Sequence, residues 1–362
     1  MKVRRPAVLT SILAVAMSAA LPGLVVADDH EAPDLQERLE AFVGLVPGAA
    51  TAVTVRDGVV SSAAVGIIDD QGGEAIPETP FLLGPLGMSM TAAVVLQLVD
   101  EGLLELDEPV TTYLPDAPVG QGSTVRQLLN WRAGVPDNYG QMIDLTLGDM
   151  GRGWTRRELM ELVEPEMVGT AGDWSSTIVH EVIGELLVEA VEGKDFATVL
   201  DERMSGPLGL TNTSDVAGDE PQPADLAIGW ELDQRLAGDR SDELAGYQTL
   251  DGRSSSAIDT TRFLQALIGG EVISEELMAV VFDEEAEFST MGFDTQEEGM
   301  GFLGDLGTRY YLSAGNLISG YSGSLAVSPE TGDIVVILAS NSRLPAWEFV
   351  HQTVSEWAPE AE

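Results

Sequence analysis

Alternating apolar and polar positions predict two β-hairpins, one near each end of the chain. The first spans Gly48–Asp69, where two β-rich runs flank the turn signal Asp57-Gly58. The second spans Gly320–Ser342, where two apolar runs flank the turn segment SPETGD. Strands near both ends of a chain indicate an antiparallel sheet that is assembled from the two termini.

Helical periodicity occupies most of the chain between these hairpins and returns at its end. The order of strands, helices and strands predicts an α+β fold, with helices flanking the sheet and an all-helical lobe inserted into it. We place a sheet lobe at about residues 40–84 and 250–362, and the helical lobe at about 85–249. The predicted helices are Thr91–Glu101, Val125–Asn130, Arg156–Val163, Thr177–Val191, Asp195–Met204, Ile258–Ile268 and Ala346–Trp357.

The first 27 residues form a separate unit. Three basic residues precede an apolar stretch that closes on small residues at Ala27. This layout predicts a signal peptide over residues 1–27, and therefore a secreted or extracytoplasmic domain over residues 28–362. The alternative is an uncleaved membrane anchor, and the choice between general and twin-arginine export stays open. No later run is apolar enough to predict a membrane span.

The amino-acid composition excludes several classes of function. The sequence has no cysteine, which excludes disulfides, thiolate-bound clusters and a thiol nucleophile. Residues 1–27 contain three cations and no acid, so the remainder has 15 Lys and Arg against 60 Asp and Glu, a net charge of −45. Because the acids are scattered, they predict a solvated acidic surface suited to a saline habitat. Nucleic acid and anionic membranes are disfavoured as partners.

Six segments, in this order, resemble landmarks of the serine β-lactamase and penicillin-binding-protein-like hydrolases, of the class C and esterase-like type. The resemblance covers most of the chain after the signal peptide. It implies a β-lactamase/transpeptidase-like fold, with a five-stranded antiparallel sheet, flanking helices and an all-helical lobe. The segments are VPGAATAVTVRDGVV, TPFLLGPLGMSMTAAVVLQLVDEGLLELDEPVTTYLP, STVRQLLNWRAGVPD, GPLGLTNT, SSSAIDTTRFLQAL and SPETGDIVVILASNS.

The resemblance breaks down at the residues that perform the chemistry. In this family a serine at a helix start attacks a carbonyl, and a lysine three residues later helps to remove its proton. An ungapped alignment on Gly84 and Thr91 places Pro85 at the serine and Met88 at the lysine. Proline offers neither a nucleophile nor an amide hydrogen for the oxyanion hole, and a thioether takes up no proton at neutral pH.

The family's two other motifs are altered as well. The Tyr-x-Asn positions fall on Ser175 and Thr177, or on Trp174 and Ser176 if the register shifts by one. The third motif reads SAGN, with Ala314 at the histidine or lysine position, and the His-Thr-Ser-Gly stretch reads WRAG. These losses coincide at one cleft while the landmarks of the scaffold persist. The sequence therefore predicts a retained fold without its chemistry.

We accordingly predict a secreted, catalytically inactive family member with a binding or structural role at the cell exterior. Its partner would be a small molecule or peptide in the former active-site cleft, and we predict no cofactor and no metal site. The residues predicted to contribute to binding are Ser89, Tyr139, Trp174, Gly315 and Asn316.

Two other functions stay open. The chain could be an active esterase-like or peptidase-like serine hydrolase that uses Ser89 or Ser175 in a non-standard arrangement, although each is more typical of an ordinary cap, loop or rim residue. Alternatively, it could act through its acidic surface alone. His180 is interpreted as a core or rim residue rather than a base, and Lys194 as a solvated surface residue.

Overall fold

The structure, a computed structural model, describes most of residues 34–357. The residues it leaves undescribed are 1–33, 45, 70, 137–152, 176, 217–222, 224, 232–233, 236–251, 283–307, 318 and 358–362. The predicted signal peptide, Tyr139 and Ser176 therefore lie outside the described residues.

A five-stranded antiparallel sheet combines strands from both ends of the chain, as the hairpin patterns predict. Its order is β2-β1-β10-β9-β8, and Val53 of β1 pairs with Ser62 of β2 and Val336 of β10. Asp57 and Gly58 have φ angles of 51° and 76°, which a tight turn between twisted strands requires. The strands are β1 (Ala49–Arg56), β2 (Val59–Gly66), β8 (Tyr311–Leu317), β9 (Tyr321–Val327) and β10 (Ile334–Ala339).

Two smaller sheets lie outside the main one. The first, in the order β3-β7-β4, comprises β3 (Pro80–Leu82), β4 (Ser214–Asp215) and β7 (Arg253–Ser256). The second pairs β5 (Trp230–Glu231) with β6 (Gln234–Arg235).

Most of the predicted helices are present at the predicted positions. They are α1 (Leu35–Val43), α2 (Met88–Asp100), α3 (Val125–Leu129), α4 (Arg156–Glu161), α5 (Val179–Glu192), α6 (Phe196–Leu200), α7 (Ala257–Ile268), α8 (Glu275–Val281) and α9 (Ala346–Trp357). Helix α6 continues as a π-helix over Asp201–Ser205 and a helical turn over Gly206–Leu208. Single 3-10 turns lie at Gly84–Gly87, Val110–Thr112 and Pro165–Met167.

Helices cover both faces of the main sheet. On β10, Val336 faces one hydrophobic cluster, which includes α2, α5 and α7, whereas Val335 and Ile337 face the other, which includes α1 and α9. All six residues of β10 are buried, because a central strand covered on both faces has no polar side. The cluster around α2 and α5 is the one that supports the candidate site.

The free edge of β2 is partly covered by a side chain. Gln36 on α1 donates a hydrogen bond from Nε2 to the carbonyl of Ala64 at 2.9 Å, and its Oε1 accepts from the Ala64 N–H at 3.2 Å. The carboxamide therefore satisfies both main-chain groups of an edge residue, as a neighbouring strand would.

The structure refines the predicted boundaries in a few places. Helix α2 begins at Met88, three residues before the predicted start. It ends as predicted, because Gly102 has a left-handed φ of 71° that closes the helix. Helices α1 and α8 were not predicted. In the described part of the chain, no helix has the length and apolarity that a membrane crossing needs. The division into a sheet lobe and a helical lobe stays a prediction.

Candidate functional site

The turn before α2 places Pro85 against the edge strand of the main sheet. Gly84–Gly87 form a 3-10 turn that leads directly into α2. A Cβ added at Gly315 on β8 would lie 2.9 Å from Pro85 Cδ, and one added at Gly84 would lie 2.2 Å from Leu317 Cδ2. Gly84 has a left-handed φ of 50°, which favours glycine, and a side chain at Gly315 would displace the proline ring. The proline ring packs directly on the main chain of β8.

Met88, at the position of the family's lysine, is buried and lines a small cavity of about 20 Å³. We call this cavity the Met88 pocket. The wall is mostly apolar, with Ala92 and Leu128 beside the thioether, and it includes His180 and Glu181 from α5. The sequence places a thioether where the chemistry needs an amine, and the fold buries it against apolar neighbours.

His180 is the unusual member of this wall. Its side chain is 2% exposed, and neither ring nitrogen has a hydrogen-bond partner among the described residues. Burial lowers the pKa of His180 to about 4, because a charged imidazolium is poorly solvated there, and this outweighs the opposing effect of the nearby main chain of Thr177. The imidazole is therefore neutral at pH 7. The residue is buried, which agrees with its interpretation as a core or rim residue.

The second-motif positions lie on the segment that leads into α5. Ser175 donates its N–H to the carbonyl of Trp131 at 3.0 Å and its hydroxyl to the carbonyl of Val135. Thr177 is buried, and its hydroxyl oxygen accepts a hydrogen bond from the N–H of Val179 at 3.3 Å. Trp174 is 46% exposed. Both hydroxyls are thus engaged by the main chain.

The WRAG stretch, Trp131–Gly134, lies against the segment that leads into α5. Trp131 has a φ of 59°, which is uncommon for a large residue and marks a local strain. Gly134 accepts a hydrogen bond from the N–H of Gly169 at 2.8 Å, and Arg132 accepts one from the N–H of Gly172. These main-chain bonds hold the two segments together beside the Met88 pocket.

The third-motif residues lie on β8. Ala314 pairs with Ser324, Gly315 with Gly323, and Asn316 with Ser322 on β9. The structure therefore brings Gly315 next to Pro85, as the resemblance implies. Ala314 offers no functional group at the position of the basic residue.

Ser89 follows Met88 on α2 but faces its own helix. Its side chain is 5% exposed, and its hydroxyl donates to the carbonyl of Leu86 at 2.8 Å. A role for Ser89 in binding stays a prediction, as do the roles of Tyr139, Trp174, Gly315 and Asn316.

A buried set of charges lies behind the start of α2, and the sequence analysis missed it. The set comprises Arg253, Arg156, Glu181, Glu185 and Asp215, and we call it the Arg253 network. Arg253 is 0% exposed; it forms an ion pair with Glu181 and another with Glu185 at 2.9 Å. Its Nε donates to the carbonyl of Gly87 at 3.1 Å, which fixes the turn before Met88.

Arg156 joins the same network from α4. It begins α4, where Thr155 and Glu158 form a capping box, and it pairs with Glu185 and Asp215. Burial lowers the pKa of Arg156, but the two carboxylates outweigh burial and raise the pKa overall. Burial raises the pKa of Glu185 to about 7, against the opposing effect of Arg156. The charges are therefore strongly interdependent.

One signal in the sequence could have revealed these acids. Glu181 and Glu185 are four residues apart among the apolar residues of α5, so they share one buried face of the helix. Carboxylates at such positions require a cation. The cations themselves, Arg156 and Arg253, are distant in the sequence and carry no comparable signal.

Among the described residues, no group of three or more His, Asp and Glu side chains is arranged to hold a metal ion. The site thus contains an apolar helix start, a neutral imidazole and a buried ionic network. The replacement of the groups that act in the family's reaction stays a prediction of the alignment.

Comparisons with known proteins identify penicillin-binding-protein and esterase relatives of this chain. The chain is 25% identical over 314 residues to the "Putative penicillin-binding protein PbpX" of Bacillus subtilis, covering 85% of this chain and 74% of that protein. It is 26% identical over 292 residues to "Esterase EstB" of Burkholderia gladioli, covering 70% and 73%.

Solved structures show the same fold. The D-amino acid amidase from Ochrobactrum anthropi SV3, complexed with L-phenylalanine amide, superposes with a TM-score of 0.73 at 20% identity, over 90% of this chain and 98% of the amidase. The predicted β-lactamase/transpeptidase-like fold is confirmed. The profile of the family described as "Beta-lactamase" matches residues 35–357, and the chain belongs to that family.

Proposed function

We propose that this protein is a catalytically inactive member of the beta-lactamase family that is exported and acts by binding a partner in its former active-site cleft. The observation that carries the proposal is Pro85 at the start of α2, where the family's nucleophile would stand. Proline provides no attacking atom and no amide hydrogen.

The surrounding residues remove the remaining chemistry. Met88 stands in place of the base, Ala314 in place of the third-strand base, and Ser175 in place of the tyrosine. Loss of the nucleophile alone in a comparable serine enzyme lowers turnover by about a millionfold. Several concurrent losses therefore leave no basis for hydrolysis in the family's manner.

The alternative of a non-standard serine nucleophile finds little support in the geometry. The hydroxyl of Ser89 donates to the carbonyl of Leu86 at 2.8 Å, and the hydroxyl of Ser175 donates to the carbonyl of Val135. Each proton is thus engaged by a carbonyl oxygen, which is a poor base, rather than by an imidazole or amine.

A binding role fits what the site retains. The walls of the Met88 pocket are mostly apolar and include Trp131. The amidase with the same fold was solved with a small molecule, L-phenylalanine amide. By analogy, the partner here is a small molecule or a peptide segment. A role through the acidic surface alone would leave the cleft without a ligand.

Export rests on the basic and apolar order of residues 1–27. Amino-terminal sequencing of the native protein should begin near Asp28 in material from outside the cytoplasm. Recovery of an intact Met1 on a cytoplasmic protein would contradict export and leave the question of activity untouched.

Inactivity is tested by the mass of the intact protein after incubation with a penicillin and, separately, with a fluorophosphonate. We expect no increase in mass, while an active penicillin-binding protein treated in parallel becomes labelled. A heat-unfolded sample reports non-specific labelling. A stoichiometric adduct that maps to Ser89 or Ser175 would establish the active hydrolase instead.

A further inference from the structure

The Met88 pocket contains one polar side chain whose hydrogen-bonding capacity the fold does not use. His180 is 2% exposed and lines the pocket; its ring approaches the main chain of Thr177, but neither ring nitrogen makes a hydrogen bond of normal geometry to a described residue. Buried polar groups are normally hydrogen-bonded, so each exception requires an explanation. Here the side chain lies at the wall of a cavity.

The charges around the pocket favour an uncharged ligand over an anion or a cation. Glu181 is already paired with Arg253 and accepts a hydrogen bond from the hydroxyl of Thr91 at 3.3 Å. An anion in the pocket would face the carboxylate, and a cation would find that carboxylate already neutralised by the guanidinium. The apolar side chains of Met88 and Ala92 would solvate neither ion.

The size of the pocket and the chemistry of the imidazole define the group that fits. A cavity of about 20 Å³ has room for one water-sized group. Neutral imidazole has one N–H donor and one acceptor nitrogen, and a hydroxyl can pair with either of them. An alkyl ether has no proton to donate and is wider than the space.

We propose that His180 anchors the hydroxyl group of an uncharged ligand that enters the cleft beside Met88. This inference rests on the proposed binding function and specifies the chemistry of the ligand. A hydroxyl can come from a ligand or from water, so the experiment must distinguish the two sources.

The test is histidine ¹⁵N NMR of the uniformly labelled protein, titrated with phenol and ethanol and, as matched controls, with anisole and dimethyl ether. We expect a saturable shift of a His180 ring nitrogen with the two hydroxyl compounds and no shift with the ethers. The exposed His351 of α9 is the internal control in the same spectra.

Two variants locate the effect. His180→Phe retains the approximate volume, and we expect it to weaken the affinity for phenol at least about tenfold, measured by tryptophan fluorescence. If that variant does not fold, Ala92→Val fills the pocket while leaving His180 in place, and the shift should disappear.

Two results would overturn the proposal. Equal shifts with ethers and alcohols would mean that the hydroxyl is not recognised. A magnetisation-transfer signal from water to His180, with no response to any alcohol, would mean that the pocket takes water only. Neither result produces an acyl adduct, so the failure of this inference is distinguishable from the failure of the proposed inactivity.

Discussion

The Met88 pocket and the Arg253 network meet at Glu181 on α5, but the rest of their chemistry differs. The pocket combines a thioether with an unpartnered neutral imidazole. The network buries two guanidinium groups and three carboxylates. Charge is therefore concentrated where it joins β7, β4, α4 and α5, and the pocket contains only the carboxylate of Glu181, which is paired with Arg253.

This contrast shows that the scaffold and the reaction depend on different residues. Arg253 binds the carbonyl of Gly87, so it fixes the same helix start that carries Pro85. Proline is well tolerated in the first turn of a helix, because its missing N–H would have no partner there. A proline before α2 is therefore compatible with the position of this helix.

Replacement of Arg253 is the most direct test of how much the buried network stabilises the fold. We expect Arg253→Met to lower the free energy of unfolding by ~3–5 kcal/mol, because Glu181 and Glu185 lose a buried counter-ion. Urea denaturation measures the change. The control is Arg157→Met, whose exposed ion pair with Asp116 should contribute only about 0–1 kcal/mol. Equal losses of stability in the two variants would mean that the buried network contributes no more than an exposed ion pair.

Stability measured over a range of pH tests the prediction that His180 is neutral in the folded protein. The pKa of His180 is about 4 in the folded protein and about 6.5 in the unfolded chain, so the unfolded state binds more protons between these values. Stability should therefore fall as pH drops from 6.5 to 4. Relative to His180→Phe, we expect the native chain to lose up to about 3 kcal/mol over this range.

The raised pKa of Glu185 acts in the opposite sense. Its contribution to stability is complete below pH 4.5 and is lost as pH rises through about 7. Both proteins retain Glu185, so the difference between their urea midpoints isolates His180. The replacement His351→Phe on the exposed face of α9 is the control. Parallel pH profiles for native and His180→Phe protein would show that His180 is not held neutral.

Salt should sharpen the distinction between surface and buried charge. If the net charge of −42 is spread over the surface, the melting temperature should rise by several degrees between about 0.1 M and about 1 M sodium chloride, because the screening length shortens from about 10 Å to about 3 Å. The deficit of Arg253→Met should change little, since the network is buried. Scanning calorimetry measures both. A melting temperature that is indifferent to salt would contradict the adaptation to a saline habitat.

The smallest effect is expected from restoring two catalytic residues. Pro85→Ser combined with Met88→Lys should leave the hydrolysis of a chromogenic cephalosporin and an activated ester at the uncatalysed rate. The reason is that Ser175 and Ala314 still replace the tyrosine and the third-strand base. Circular dichroism checks that the double variant folds. Turnover clearly above the Pro85→Ser control would mean that the rest of the site is intact.

Local patterns predicted much of the fold and little of the site's geometry. The turn at Asp57-Gly58 and the central helix were predictable, because turn chemistry and apolar periodicity are written in neighbouring residues. Helix α1 was missed although Leu35, Leu39, Phe42 and Val43 stand at helical spacing along it.

At the site, the family alignment identified the altered positions Pro85 and Met88, because they occur within a continuous motif. It gave no indication that Arg253 pairs with Glu181 and Glu185, which are 72 and 68 positions away in the chain. The unpartnered state of His180 likewise depends on which elements surround it. Such long-range partnerships follow from packing rather than from any local pattern.

The carboxamide of Gln36 on the edge of β2 acquires a further importance in concentrated salt. In dilute solution, the strong negative charge would keep copies of the protein apart. Salt removes that repulsion, and an open strand edge then becomes a template for pairing with another molecule. By occupying both main-chain groups of Ala64, Gln36 provides a barrier to aggregation that does not weaken as ionic strength rises.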